Sequence, residues 1–226
     1  MTRRLRVFAI NPNTTRSMTE KIAAAAADVA GRGTEIIGRN PKTGPAAIQG
    51  PEDGEAALPG LLEEIDRAVH DGADAILIAC FDDTGLAEAR ARFKLPVIGI
   101  GEAGYHVASL LAPRFSVVTT LAVSVPVIEA NIAAYGFGAA CVRVRASGVP
   151  VLALEDPDSG ARTRVSDEIA TAIREDGAGA IVLGCAGMAD LAAEFTDRHG
   201  VPVIDGVAAA VKLAEAVLAV SPRRPR

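Results

Sequence analysis

The chain is poor in aromatic residues: among 226 residues there is no Trp, and only two Tyr and six Phe. Its core must therefore be aliphatic, rich in Ala, Val, Ile and Leu. An excess of positive charge is missing too. The formal net charge of −5 gives no electrostatic basis for binding a polyanion or an anionic lipid surface, so neither nucleic acid nor membrane is an expected partner. No apolar run approaches the ~20 residues needed to cross a bilayer. Only Val7 to Ile10 follow the first arginines before polar residues begin, against the roughly 7–15 apolar residues of a secretory segment. A cytoplasmic location is expected. The basic ends (Arg3, Arg4 and Arg6; Arg223, Arg224 and Arg226) are short and read as solvated tails. Three cysteines are expected as free thiols, not a disulfide framework, and no C-x-x-C motif supports a redox role. His70, His106 and His199 are scattered, and no metal-ligand spacing is present, so no metal is expected.

What the chain does have is a statement made twice. Residues 71–86 read DGADAILIACFDDTGL, and residues 176–191, offset by 105 positions, read DGAGAIVLGCAGMADL. In each copy an Asp-Gly-Ala turn leads into an apolar run that ends on a cysteine, Cys80 or Cys185. A helical stretch and a second strand follow, LPVIGI at 95–100 or VPVID at 201–205. Short apolar runs alternate with longer helical patterns throughout, the mark of a parallel α/β sheet. Strands are predicted near 5–11, 34–38, 74–80, 96–100, 116–120, 141–147, 179–184 and 201–204. Helices are predicted near 15–30, 53–71, 85–93, 102–112, 123–135, 161–176, 189–199 and 206–220. Ser17 and Glu20 are candidates for a capping box at the first helix, with Thr14 and Thr15 as rival caps. A period this long is no solenoid. The expected fold is α/β with two pseudo-symmetric lobes, each a parallel sheet flanked by helices, and a site in the cleft between them. Residues 1–100 plus 205–226 would form one lobe and 101–204 the other, the last helix returning to the first lobe.

Ligands of such sheets bind beyond the carboxyl ends of the strands. Those ends carry Asn11 to Thr14, Cys80 to Thr84, Thr119 and Thr120, and Cys185 to Met188. A thiol at a strand-to-helix junction is expected near the positive end of a helix, which lowers its pKa. It can then take a proton in one direction and return it in the other. A single cysteine ending a buried strand is usually a small hydrophobe; the same placement in both halves argues for a pair that acts together. Cys141 has no counterpart and reads as structural. Asn11, Asn13 and Thr14 suit either substrate binding or plain turn chemistry, and Thr119 and Thr120 suit either contact or strand filling. The string Gly99, Gly101 and Gly104 matches GxGxxG, but no acidic residue ends a second strand some 20 positions on, so it is a weak dinucleotide signal.

INPNTT at 10–15, GPAAIQGPED at 44–53, ACFDDTGL at 79–86, GIGEAG at 99–104, FSVVTTLAVSVPVIE at 115–129 and LGCAGM at 183–188 together resemble the aspartate/glutamate/hydantoin racemase superfamily, and most of all its hydantoin racemase branch, which includes allantoin racemases. The resemblance covers nearly the whole chain. It implies a cofactor-independent racemase, a homo-oligomer, and catalytic cysteines at Cys80 and Cys185. It also implies substrate contacts at Asn11, Ile48, Phe81, Thr119, Thr120, Gly187 and Met188. Two departures stand out. Phe81-Asp82-Asp83-Thr84-Gly85 replaces a stretch that usually resembles Phe-Gly-Asp-Pro-Gly, and the extra carboxylate should raise a nearby thiol's pKa or select a different substrate group. Ala47 stands where serine is common.

The expected substrate is a small cyclic ureide, a 5-substituted hydantoin or allantoin, with a proton moved at C5 between the two thiols. An amino-acid racemase, a maleate isomerase-like or an arylmalonate decarboxylase-like enzyme would share the scaffold. A decarboxylase needs one cysteine, and an amino-acid racemase wants polar neighbours where Phe81 and Ala186 stand. A non-catalytic two-lobe binding protein is the rival of another class.

Overall fold

The computed structural model describes residues 3–220; Arg223, Arg224 and Arg226, read above as part of a tail, lie outside the described residues. The first half runs β1 (Leu5–Ile10), α1 (Arg16–Val29), β2 (Thr34–Arg39), α2 (Pro51–His70), β3 (Ala75–Ile78), α3 (Leu86–Arg92), β4 (Val97–Gly99) and α4 (Ile100–Leu111). The second repeats the order as β5 (Phe115–Thr119), α5 (Val125–Ala134), β6 (Cys141–Ala146), α6 (Ala161–Thr171), β7 (Ala180–Gly184), α7 (Ala192–His199), β8 (Val203–Asp205) and α8 (Gly206–Val220). Two four-stranded sheets result, ordered β2-β1-β3-β4 and β6-β5-β7-β8. Every strand pair is parallel. The expected α/β architecture of two like lobes is what the chain forms.

Strand alternation divides the core into three layers, as the period-2 pleat requires. Val7 and Ala9, Ala75 and Leu77, Phe115 and Val117, and Ala180 and Val182 face one shared core between the sheets. Phe8 and Ile10 with Ile76 and Ile78 face α2 and α3 on one outer side. Val118 with Ile181 and Leu183 face α6 and α7 on the other. Each central strand is buried on both faces, which is why these runs read as continuous hydrophobic stretches.

Helices α4 and α8 lock the lobes. Each follows the last strand of one sheet and packs on the other: α4 reaches β7, α8 reaches β3 and α1, and the two lie against one another. Their starts come so close that a Cβ added at Gly206 would fall 2.4 Å from the carbonyl oxygen of Ile100, so only glycine fits there.

The repeated Asp-Gly-Ala turn has the same local role twice. Gly72 and Gly177 take φ of 85° and 63°, the left-handed region that glycine enters without steric penalty. The aspartates before them pair with arginines on the edge strands: Asp71 with Arg39, and Asp176 with Arg145 at 2.6 Å. The second pair is buried and also takes the Ser116 hydroxyl at 2.9 Å.

Three local expectations are corrected. The helix α1 starts at Arg16 behind Thr15, with no side-chain cap; Glu20 pairs with Arg16 instead, and Asn13 Oδ1 takes the Thr15 amide at 2.9 Å, so no capping box forms at Ser17. The helix expected over 161–176 ends in a π turn, Ala172–Asp176. The helix expected from 189 is a 3-10 turn, Ala186–Leu191, before α7 begins.

Candidate active site

The central strands β1, β3, β5 and β7 all end at one cavity, with an empty volume of about 380 Å³ including its mouth. The first lobe lines it with Asn11, Pro12, Asn13, Met18, Ile48 and Ala79 to Asp82, the second with Thr120, Ser124, Val151 and Gly184 to Ala186. Cys80 and Cys185 therefore open into the same space from equivalent strand ends. Hydrogen bonds tie the lobes together around it. The Val151 amide donates to Gln49 Oε1 at 3.1 Å, Lys21 Nζ to the Gly187 carbonyl at 2.8 Å, and Asn131 Nδ2 to the Asp82 carbonyl at 2.8 Å.

The thiols do not sit where a helix dipole would ionise them, which corrects the expected lowering of their pKa values. After Cys80 the chain turns without helix until Leu86, and Cys185 precedes only a 3-10 turn. Burial dominates both. It pushes the Cys80 thiol far up, helped by the Asp82 carboxylate, against the Thr84 hydroxyl 3.4 Å away and the Asp82 backbone amide. Burial pushes Cys185 up to about 11, opposed by the Gly187 amide and with Asp82 adding to the rise. Each sulfur thus has the backbone N–H two residues onward beside it. Both groups are thiols at neutral pH, and the rare thiolate is a strong base. The expected effect of the extra carboxylate on a thiol is present in these shifts.

Asp82 and Asp83 have separate functions. Asp82 lines the cavity; its Oδ2 takes the Ser124 hydroxyl at 3.3 Å, and burial lifts its carboxyl to about 6. Asp83 turns away, at a left-handed φ of 49°. Its two oxygens accept the amides of Gly101 at 3.0 Å and Glu102 at 2.9 Å at the start of α4, where a helix favours an anion. Burial lifts this carboxyl to about 7. The GxGxxG string is thereby explained. A Cβ at Gly99 would stand 2.1 Å from Asp83 Oδ1, and one at Gly101 2.5 Å from the Phe81 carbonyl oxygen. The glycines hold the chain's own carboxylate in the place where a dinucleotide fold holds phosphate.

Of the other residues expected to contact substrate, Asn11, Ile48, Phe81 and Thr120 line the cavity, while Thr119, Gly187 and Met188 do not. Asn11 spends its amide donors on Asn13 and Thr19 at 2.8 and 3.0 Å, which is turn chemistry. Phe81 stands edge-on to Tyr105, ring centroids 5.6 Å apart. The Thr119 hydroxyl donates to the Gly184 carbonyl at 2.8 Å and holds β5 to β7. The Thr120 hydroxyl has no protein partner among the described residues. Met188 is fully buried in the outer core of the second lobe. Ala47 is buried beside the shared core, and Cys141 opens β6 away from the cavity. Met18, Ser124, Val151 and Asn131 went unnoticed in the sequence. Ser124, Asn131 and Val151 meet partners in the other lobe, so no local pattern marks them, and Met18 meets Asn13 across the turn before α1. Among the described residues no cluster of His, Cys, Asp or Glu could hold a metal, and no helix is long and apolar enough to cross a membrane.

Two like α/β lobes bring a thiol each to one cleft. Comparison with known sequences makes the assignment specific: the model of the Asp/Glu/Hydantoin racemase family matches residues 7–214, and the chain belongs to that family. It is 48% identical over 214 residues to a hydantoin racemase of Rhizobium meliloti, covering 95% of this chain and 89% of the relative. An allantoin racemase from Klebsiella pneumoniae has the same fold with a TM-score of 0.93 and 46% identity, over 96% of this chain and 88% of that one. A glutamate racemase from Bacillus anthracis, 16% identical with a TM-score of 0.73 over 96% and 83% of the two chains, shares the fold alone. By this membership the protein is an isomerase of the racemase type.

Proposed function

We propose that the protein racemises 5-substituted hydantoins, allantoin among the candidates, by moving one proton at C5 between Cys80 and Cys185. The observation that carries this reading is the opening of both thiols, from equivalent ends of β3 and β7, into one cavity. A planar carbanion formed there can be reprotonated on the face opposite to the one that lost the proton. In one direction the Cys80 thiolate takes the C5 proton, the bonding pair passes into the adjacent ring carbonyl, and the Cys185 thiol gives its proton to the other face. The reverse direction exchanges the two roles, and the enzyme alternates between two protonation states that carry the same net charge. Neither step calls for a cofactor.

A thiolate is a strong enough base for a weak carbon acid, but a catalytic base works best with a pKa near the operating pH, so the rise that burial and Asp82 impose on both thiols works against the reaction in the free protein. The developing oxyanion needs donors already in place. The Thr120 hydroxyl, free of a protein partner among the described residues, lines the cavity, and one such donor is worth roughly 3–4 kcal/mol of barrier. The apolar walls Ile48, Phe81, Val151 and Ala186 suit a neutral ring with a hydrocarbon substituent.

The experiment is a panel of single-enantiomer hydantoins and allantoin followed by circular dichroism. The signal of at least one is expected to decay to zero with the wild-type protein. Decay only with free aspartate or glutamate, and with none of the cyclic ureides, would overturn the substrate class.

A further inference from the structure

Asp82 is the one charged side chain in the cavity lining; no Lys, Arg or His lines that wall among the described residues. Its carboxylate has a single side-chain partner, the Ser124 hydroxyl at a long 3.3 Å, and its backbone is pinned by Asn131 from the second lobe. A desolvated carboxylate with one weak donor and no cation is under-satisfied. It is complementary to a ligand that brings an N–H, and it repels one that brings a second carboxylate. It lines the same cavity as Cys80 and Cys185, so it stands beside the carbon the two thiols would share. The reacting carbon of a hydantoin has three heavy-atom neighbours: the C4 carbonyl, the 5-substituent and N1. Only N1 carries a donor in every member of the class.

We infer that Asp82 is the specificity-determining and positioning residue of this site, its carboxylate accepting the N1–H of the ring while Ser124 holds the second oxygen. This deepens the hydantoin reading and rests on it. The consequence is exclusion: aspartate, glutamate, malonates and maleate are refused because their carboxylates would meet Asp82 with no cation to offset the charge. The carboxylate takes no part in proton transfer, so its contribution is to affinity and to ring orientation.

The test separates binding from turnover by using 5,5-dimethylhydantoin, which has no C5 proton to lose. Calorimetry with this compound and its N1-methyl and N3-methyl derivatives is run on wild type, Asp82→Ala, Asp82→Asn and Ser124→Ala, each first checked for folding by circular dichroism. In the wild type, N1 methylation should weaken binding roughly tenfold or more, the size of a charge-assisted hydrogen bond, and N3 methylation less. Asp82→Ala should lose most of the N1-methyl penalty, and Asp82→Asn, which retains an acceptor, should keep part of it. Ser124→Ala should keep it nearly whole. An equal N1-methyl penalty in wild type and Asp82→Ala overturns the inference while leaving the racemase reading intact. Failure of the wild type to bind or racemise any hydantoin overturns both.

Discussion

The two lobes place an anion at the start of a helix in different ways. Gly99 and Asp205 hold the same position, the last residue of β4 and of β8. In the second lobe Asp205 caps α8 itself, its oxygens 2.9 Å from the amides of Val207 and Ala208. In the first lobe that position is Gly99, and the corresponding amides of Gly101 and Glu102 are taken by Asp83 from the loop beyond Cys80. The task is the same and the residue that performs it has moved. As a result the loop after Cys80 is tied to α4 and carries two carboxylates beside its cysteine, whereas the one carboxylate after Cys185, Asp190, stands five residues on and pairs with Lys21 and Arg162. The two halves share their backbone order and the placement of the thiols, while the charge around those thiols is unequal. An enzyme that must tell the two faces of one carbon apart by their neighbours, yet move a proton either way, can use that inequality to orient its substrate.

The largest effect is expected at the thiols. Replacing either Cys80 or Cys185 by serine should reduce racemisation of a hydantoin about 10²–10⁴-fold, read by circular dichroism. If only one substitution has this effect, the lobes are not equivalent partners. The helix starts come next. Gly99→Ala pushes a methyl into Asp83 and should cost about 3 kcal/mol, the upper range for overpacking, lowering Tm by roughly 6–12 °C in a chain this size. Asp205→Ala removes a cap and should cost about 1–2 kcal/mol. The double substitution Gly99→Asp with Asp83→Ala copies the second lobe into the first. It should be more stable than the sum of the two single losses, as positions that share one role couple.

A weaker effect lies in pH. The Asp83 carboxyl stands at about 7 in the folded protein and near 3.9 in an unfolded chain. Through that window the folded state keeps a proton that the unfolded state has released, so this group's stabilisation is full at low pH and is lost as pH rises through about 7. Asp83→Asn lacks the titration. Its Tm relative to wild type should therefore climb between about pH 4 and pH 7, and a flat difference would show that Asp83 is not buried as described. The smallest effect concerns the thiols' inequality. Alkylation by iodoacetamide should require a higher pH at Cys80 than at Cys185, and Asp82→Asn should narrow the gap, because Asp82 weighs more on Cys80.

Much of this was legible in the chain. All eight strands lie where periodicity puts them, because β1, β3, β5 and β7 are buried on both faces and so spell continuous apolar runs. The repeat located both sulfurs, since a duplicated Asp-Gly-Ala turn fixes the register of the strand that follows. The electrostatics were not legible. Whether Cys80 meets a helix start or an acidic loop depends on Asp83 reaching across to Gly101 and Glu102, a contact between segments 18 residues apart. Thr119 and Thr120 look alike in sequence, yet the pleat turns one hydroxyl to Gly184 and the next residue to the cavity. Ser124 and Val151 come to the site from short 3-10 turns whose composition says nothing of a ligand, and the glycine string reads as phosphate-binding until the internal carboxylate it encloses is seen.

In this mechanism two sulfurs serve opposite faces of one carbon. The most direct measurement is proton NMR of a single hydantoin enantiomer in deuterium oxide, with wild type, Cys80→Ser and Cys185→Ser. Wild type should wash out the C5 proton as it racemises, and each variant should exchange that proton from one enantiomer at most, with rotation retained. Racemisation at the wild-type rate by either variant would contradict it.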